Sequence, residues 1–392
     1  MNAVAAGNES ITLDLTGPGS HVIAREPGRG SFALGPGDTG VLRKLDAIVP
    51  LDAAINWAAF DVLTVPGGHP WPRVFLYHGD DTGFVAWSRV RTIEHISWWP
   101  SQADHLDMTG ARITEIHVHL AAQPLEIILG GAHRLATFKG DLDLLKVSIA
   151  GDEPAAAELP AVTFIPAATS ATVRKVPPLP AFAEVTNVDI SADVVGTPFD
   201  CGSLLQFSGL RRLKLSGHVT NLVALAELKE LRTLMIGLCP DLAGMPDLHT
   251  WQHLNSFMAW NIEARGGKVL RGQFNQLKKS RRMADISRVS QLREPVWFAT
   301  EHGLPFADWS GKTARLAIKA YKQAAVAVAR ATSGDEVRSA LIAFVEVFNT
   351  LPDIGTIERE DVSDAIGLLA ALARDHVTAE MAQGWFDAAR EF

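Results

Sequence analysis

The strongest constraint on this chain is a short apolar pattern that returns at nearly constant intervals through its middle. Val185-Thr-Asn-Val188-Asp-Ile190, Leu210-Arg-Arg-Leu213-Lys-Leu215, Leu231-Arg-Thr-Leu234-Met-Ile236 and Leu254-Asn-Ser-Phe257-Met-Ala259 share the form apolar-x-x-apolar-x-apolar, and their starts lie 25, 21 and 23 residues apart by subtraction. The second and third copies are strong, the first is weak and the fourth degenerate. Alternation of this kind is a strand signal, because successive side chains in a strand point to opposite faces. Shorter β-like runs precede the copies: Ile113 to Leu120, Leu125 to Leu129, Leu144 to Ile149 and Val162 to Ile165. A period close to the range of about 20 to 29 residues predicts stacked turns, each burying its apolar face against the next. Ordinary buried strands of an α/β domain carry the same short runs, and only the regular step separates the two readings.

Cys239 and Asn261 follow the third and fourth copies, where a polar side chain can satisfy backbone groups inside a turn, whereas Asp193 and His218 stand there in the first two. On these residues, segment 185–261 resembles bacterial leucine-rich repeat proteins, and segment 113–165 resembles more divergent turns of the same kind. The resemblance implies an α/β fold: a leucine-rich-repeat-like solenoid with a β-rich N-terminal cap and an α-helical C-terminal bundle. The segment Phe348 to Asp361 is similar to the ends of bacterial solenoid proteins found near toxin genes, which implies an immunity protein as the biological type.

Four regions follow from the punctuation of the chain. Residues 1–110 predict a β-rich cap, with β-like runs at Ile11 to Leu15, Val74 to His78 and Gly83 to Ser88, a helical candidate at Leu42 to Val49, and Trp57, Trp71, Trp87, Trp98 and Trp99 as aromatic anchors. Residues 111–262 form the expected solenoid, with a helical connection at Leu222 to Glu230, and 263–310 a basic connecting segment. Residues 311–392 predict four amphipathic helices, starting with Lys312 to Ala331, then one opened by the capping box Ser333-Gly-Asp-Glu336, then Glu358 to Asp375 and Thr378 to Glu391.

Composition narrows the function classes. A hydrophobic fraction of 47% and a charged fraction of 20% are those of an ordered globular protein, and a net charge of −8 argues against a dedicated nucleic-acid binder. Cys201 and Cys239 are too few for a disulfide framework or a cysteine zinc site, which fits the reducing cytoplasm. The N-terminal residues lack the basic start and apolar stretch of a signal peptide, and no apolar run reaches about 18 residues, so no membrane association is expected.

The alternation sends one set of residues to the exposed, concave face of the expected solenoid. It comprises Glu115, His117 and His119, then Asn187, Asp189 and Ser191, then Arg212, Lys214 and Ser216, then Thr233, Met235, Ser256, Met258 and Trp260. Methionine and tryptophan beside basic residues suit an interface core. The leading expectation is therefore non-catalytic binding of another protein, such as a toxin to be neutralised, with no cofactor, metal or small-molecule substrate. One alternative is a metal-dependent enzyme using His117 and His119, which share a face with Glu115 and could be joined by Glu94, His95, Asp104, His105 or Asp107, although a solvated strand reads the same way. A second alternative is a nucleic-acid-associated factor using Arg281 and Arg282 within the basic stretch 265–293, which lacks interleaved aromatics for base stacking and reads more readily as the basic half of a contact with an acidic protein surface, or as a solvated helix and loop. Gly311-Lys312-Thr313 has the ending of a phosphate-binding loop, but Phe306 stands where glycine is required and no hydrophobic strand precedes it, so Ser310 is expected to cap a helix and Lys312 to be solvated. No Gly-x-Ser-x-Gly nucleophile elbow is present.

Overall fold

The apolar positions of the recurring pattern are buried on one face of a single parallel sheet. The computed structural model describes residues 9–25, 30–37, 41–42, 44–64, 68–130, 133–149, 160–167, 173–307, 309, 311–351, 354–373 and 376–392, and the chain divides into two compact units, Met1–Leu292 and Arg293–Phe392. In the first unit, twelve strands pair in parallel, nearly all in chain order: Ala47–Ile48 at one edge, then Ser31–Gly35, Val74–His78, Ile93–Trp99, Ile113–His119, Leu135–Gly140, Ala161–Pro166, Asn187–Ser191, Arg212–Ser216, Thr233–Gly237, Ser256–Trp260 and Arg288–Val289. Across neighbouring strands Ala136, Val162, Val188, Leu213, Leu234 and Phe257 form one inward row, and Phe138, Phe164, Ile190, Leu215, Ile236 and Ala259 the next. All twelve are buried, each large side chain contributing about 1.5–3 kcal/mol of transfer free energy.

This architecture corrects the expected leucine-rich-repeat-like solenoid behind a separate β-rich cap: the first unit is an α/β fold on one continuous 12-stranded parallel sheet. The strands Ser31–Gly35, Val74–His78 and Ile93–Trp99, assigned from sequence to the cap, are consecutive members of that sheet. The first of these starts 43 residues before the second by subtraction, so the period breaks at the N-terminal edge of the sheet, whereas from Val74–His78 to Ser256–Trp260 successive strands start 19 to 26 residues apart. The physical reason is that a half-covered strand needs only alternating apolar residues, whatever the length of the connection that follows it.

Local expectations fail where one apolar run fits two settings. Leu125–Leu129 and Leu145–Ile149 are strands, but with His105–Asp107 they make a separate three-stranded parallel sheet. Gly83–Ser88 is a helix, and among the described residues of Leu42 to Val49 only Ala47–Ile48 takes a regular form, as a strand. Leu222–Glu227 is a 3-10 helix. Of the tryptophans expected as anchors, Trp57, Trp71, Trp87 and Trp98 are buried, with the indoles of Trp57 and Trp87 donating to Asp81 and Asp61 at 2.8 Å. The polar residues after the four copies are all engaged: Asp193 pairs with buried Arg174 at 3.0 Å, His218 Nδ1 lies 2.7 Å from the Gly196 carbonyl, the Cys239 thiol donates to the Asp241 carbonyl, and Asn261 is buried at a φ of +48°.

Much of the basic stretch is the helix Ala264–Ser280, whose N-terminus is capped by the Glu263 carboxylate and whose apolar face buries Leu270, Phe274 and Leu277. The second unit has its own core, built by the helices Gly311–Arg330, Gly334–Asn349, Thr356–Ala371 and Ala379–Ala389. Ser333 caps the second of these by accepting from the Glu336 N–H, and Glu336 in turn accepts from the Thr332 N–H. Phe306, which occupies a would-be glycine position of the phosphate loop, packs against Phe344 and Phe348 in this core, and Lys312 is exposed. Ser310 lies outside the described residues.

Candidate functional site

Because side chains alternate along each strand, every second residue of the 12-stranded sheet projects to its polar face. Register then determines which of them meet. One row runs Ser97, His117, Thr137, Thr163, Asp189, Lys214, Met235, Met258 and Arg288. The row beside it runs His95, Glu115, Leu135, Ala161, Asn187, Arg212, Thr233 and Ser256. Ser191, Ser216, Gly237 and Trp260 form part of a third. All the residues expected on the exposed strip therefore do share one face, where most are half-buried and Ser191 is exposed.

They do not form one cluster. The strands Leu135–Gly140 and Ala161–Pro166 stand between Ile113–His119 and Asn187–Ser191, so His117 and Asp189 are three strand spacings apart, about 14 Å. The far group is tied internally. Arg212 donates to Asp189 at 3.0 Å and reaches the Met235 sulfur at 3.8 Å, linking three strands. The indole of Trp260 lies across Gly237, where any Cβ would strike the ring. Thr137, Thr163 and Arg288 belong to the same rows and were missed by the sequence reading, although Thr163 sits in a legible apolar-polar alternation.

The near group centres on two neighbouring strands. His95 stands directly opposite Glu115, and Ser97 opposite His117. His95 Nδ1 lies 3.4 Å from Glu115 Oε2, His95 Nε2 lies 2.9 Å from Ser97 Oγ, and the His95 and His117 rings are 4.3 Å apart. His119 takes no part in this contact and stacks on Trp99 at 4.0 Å. Of the other acidic and histidine candidates, Glu94 pairs with Arg73 at 3.5 Å, and Asp107 accepts from the Thr109 N–H in its own turn. The spacing His95-Ile-Ser97 mirrors Glu115-Ile-His117, which is the one signal in the sequence that the two segments present matched faces.

Burial holds the imidazoles of His117 and His119 neutral. His117 is brought down to about 4 by desolvation and by His95, against the pull of Glu115, and His119 to about 4 by desolvation and the positive charge of Lys139. Unfolded imidazoles titrate near 6.5, so between pH 6.5 and 4 the unfolded chain binds more protons and stability falls as pH drops. With a chelator present, the double variant His117→Gln/His119→Gln is expected to lose less stability than the parent between pH 7 and 4.5, by about 1 kcal/mol per imidazole given their partial exposure. Equal losses in urea denaturation at the two pH values would discard this account. Both cysteines are buried, which pushes the Cys201 thiol up and Cys239 to about 12, so neither supplies a thiolate near neutrality.

Arg281 is not offered to a ligand: its guanidinium donates to the carbonyls of Trp251, Gln252 and Leu254. Arg282 is exposed. Among the described residues, no helix is long and apolar enough to cross a membrane. No family model, curated protein or solved structure matches this chain.

Proposed function

We propose that this chain is a non-catalytic protein-binding module whose docking face is the Asp189–Trp260 end of the sheet. The observation that carries the reading is the register: Asp189, Arg212, Lys214, Met235 and Met258 are immediate neighbours, with Trp260 on the adjoining row. They are half-exposed on a rigid sheet rather than on loops. Tryptophan, methionine and arginine are the side chains that concentrate binding energy at interface centres, and a sheet pre-organises them at little entropic cost. The excess of positive charge from Arg212, Lys214 and Arg288 over Asp189 favours an acidic partner surface. A toxin held inactive by stoichiometric binding is the partner class that the sequence resemblance implies, and mass action alone would then drive neutralisation. A cytoplasmic setting fits the two free, buried thiols.

The test is to identify the partner by affinity capture from the native host and then titrate it against Lys214→Glu, Met258→Ala and Trp260→Ala. Each is expected to weaken binding about tenfold or more, with thermal midpoints close to the parent. Undiminished binding by all three variants would remove this face from the proposal.

A further inference from the structure

We propose that His95, Glu115 and His117 form a three-ligand site for a divalent first-row transition ion of the zinc class. This inference is independent of the protein-binding reading, since the three residues lie at the other end of the polar face. Each offers one ligand atom, and these atoms all lie within 4.8 Å of one another. The 3.4 Å between His95 Nδ1 and Glu115 Oε2 matches the edge of a tetrahedron with metal–ligand bonds of about 2.0–2.1 Å, which is about 3.4 Å. The donor set points away from calcium and magnesium, which take oxygen ligands, and toward ions that accept imidazole nitrogen.

Three further features fit a metal centre. The ligands come from adjacent central strands locked by parallel pairing, so the geometry is held before any ion arrives. His95 Nε2 is 2.9 Å from Ser97 Oγ. If that nitrogen carries the proton and donates it to the hydroxyl, Nδ1 is left with its lone pair toward Glu115, the outer-shell arrangement by which ligating histidines are usually oriented. His117 Nε2 is buried and, among the described residues, has no hydrogen-bond partner, a condition a folded protein rarely tolerates without an ion or water at hand. Two histidines and one glutamate occupy three positions of a tetrahedron, which leaves the fourth for water or an incoming donor.

The experiment uses the full chain stripped with chelator, titrated with Zn²⁺ by calorimetry and with Co²⁺ by visible absorption. One ion per chain is expected, with the intense visible bands of tetrahedral cobalt. His117→Ala and the near-isosteric Glu115→Gln should each weaken Zn²⁺ binding by about 100-fold, Ser97→Ala by about tenfold, and His119→Ala should leave it unchanged. Circular dichroism of the stripped variants checks that each is folded, and Glu115→Gln on a half-exposed position keeps the test valid should His117→Ala fail to fold. Binding by the parent that is no tighter than by folded Glu115→Gln, or binding abolished equally by His119→Ala, overturns the site.

Discussion

Gly217→Ala is expected to destabilise the first unit by about 3 kcal/mol or more, enough to lower its denaturation midpoint sharply or prevent folding. Gly217 ends the strand Arg212–Ser216 at a φ of +100°, a conformation that L side chains rarely adopt. A Cβ there would collide with the Ala192 carbonyl oxygen and lie 2.6 Å from its carbon and 3.0 Å from the Asp193 carbonyl oxygen. Neither carbonyl lies on a free loop: the Ala192 N–H donates to Ser216, and the Asp193 carbonyl accepts from His218. Backbone strain and loss of these bonds therefore fall on the same turn. Gly272→Ala is the matched control, because Gly272 sits inside a helix with nothing within 4 Å of its added Cβ, and there alanine should stabilise by about 0.5–1 kcal/mol. Urea melts followed by tryptophan fluorescence decide the matter; parental stability in Gly217→Ala would show that this turn can relax.

Arg281→Ala is expected to cost about 2–3 kcal/mol, while Arg282→Ala stays within about 0.5 kcal/mol of the parent. One guanidinium nitrogen of Arg281 donates to three carbonyls of the loop at Trp251, Gln252 and Leu254, at 2.9, 3.1 and 3.2 Å. That loop carries Trp251, whose ring is fully buried and whose indole donates to the Leu225 carbonyl. Truncation leaves the carbonyls short of a charged donor just ahead of the strand Ser256–Trp260. The pair also separates two roles for adjacent arginines. A phosphate-binding pair would lose nucleic-acid retention in both variants with stability intact, whereas a structural clamp loses stability in Arg281→Ala alone.

These two residues mark where sequence reading reaches its limit. Arg281 and Arg282 are indistinguishable as text, and only the fold turns one inward onto carbonyls. Gly217 reads as an ordinary loop glycine, because the close approach that requires it comes from a segment some 24 residues upstream. The same holds for the candidate metal ligands. Glu115 and His117 are legible as a same-face pair from spacing alone, yet their selection of His95 over His119 depends on which strand lies alongside.

The strands around the recurring pattern, the inward and outward sides of each, and the helices of the second unit are written in local periodicity and caps, which need no tertiary contact to be legible. Tertiary structure alone decided that the N-terminal strands join the same sheet, that Leu125–Leu129 and Leu145–Ile149 leave it for another, and that two intervening strands split the exposed residues into two groups. The physical reason is that parallel pairing joins segments about twenty or more residues apart through backbone hydrogen bonds. Those bonds are alike for every sequence, so alternation tells a strand which face to bury but not which strand to lie beside.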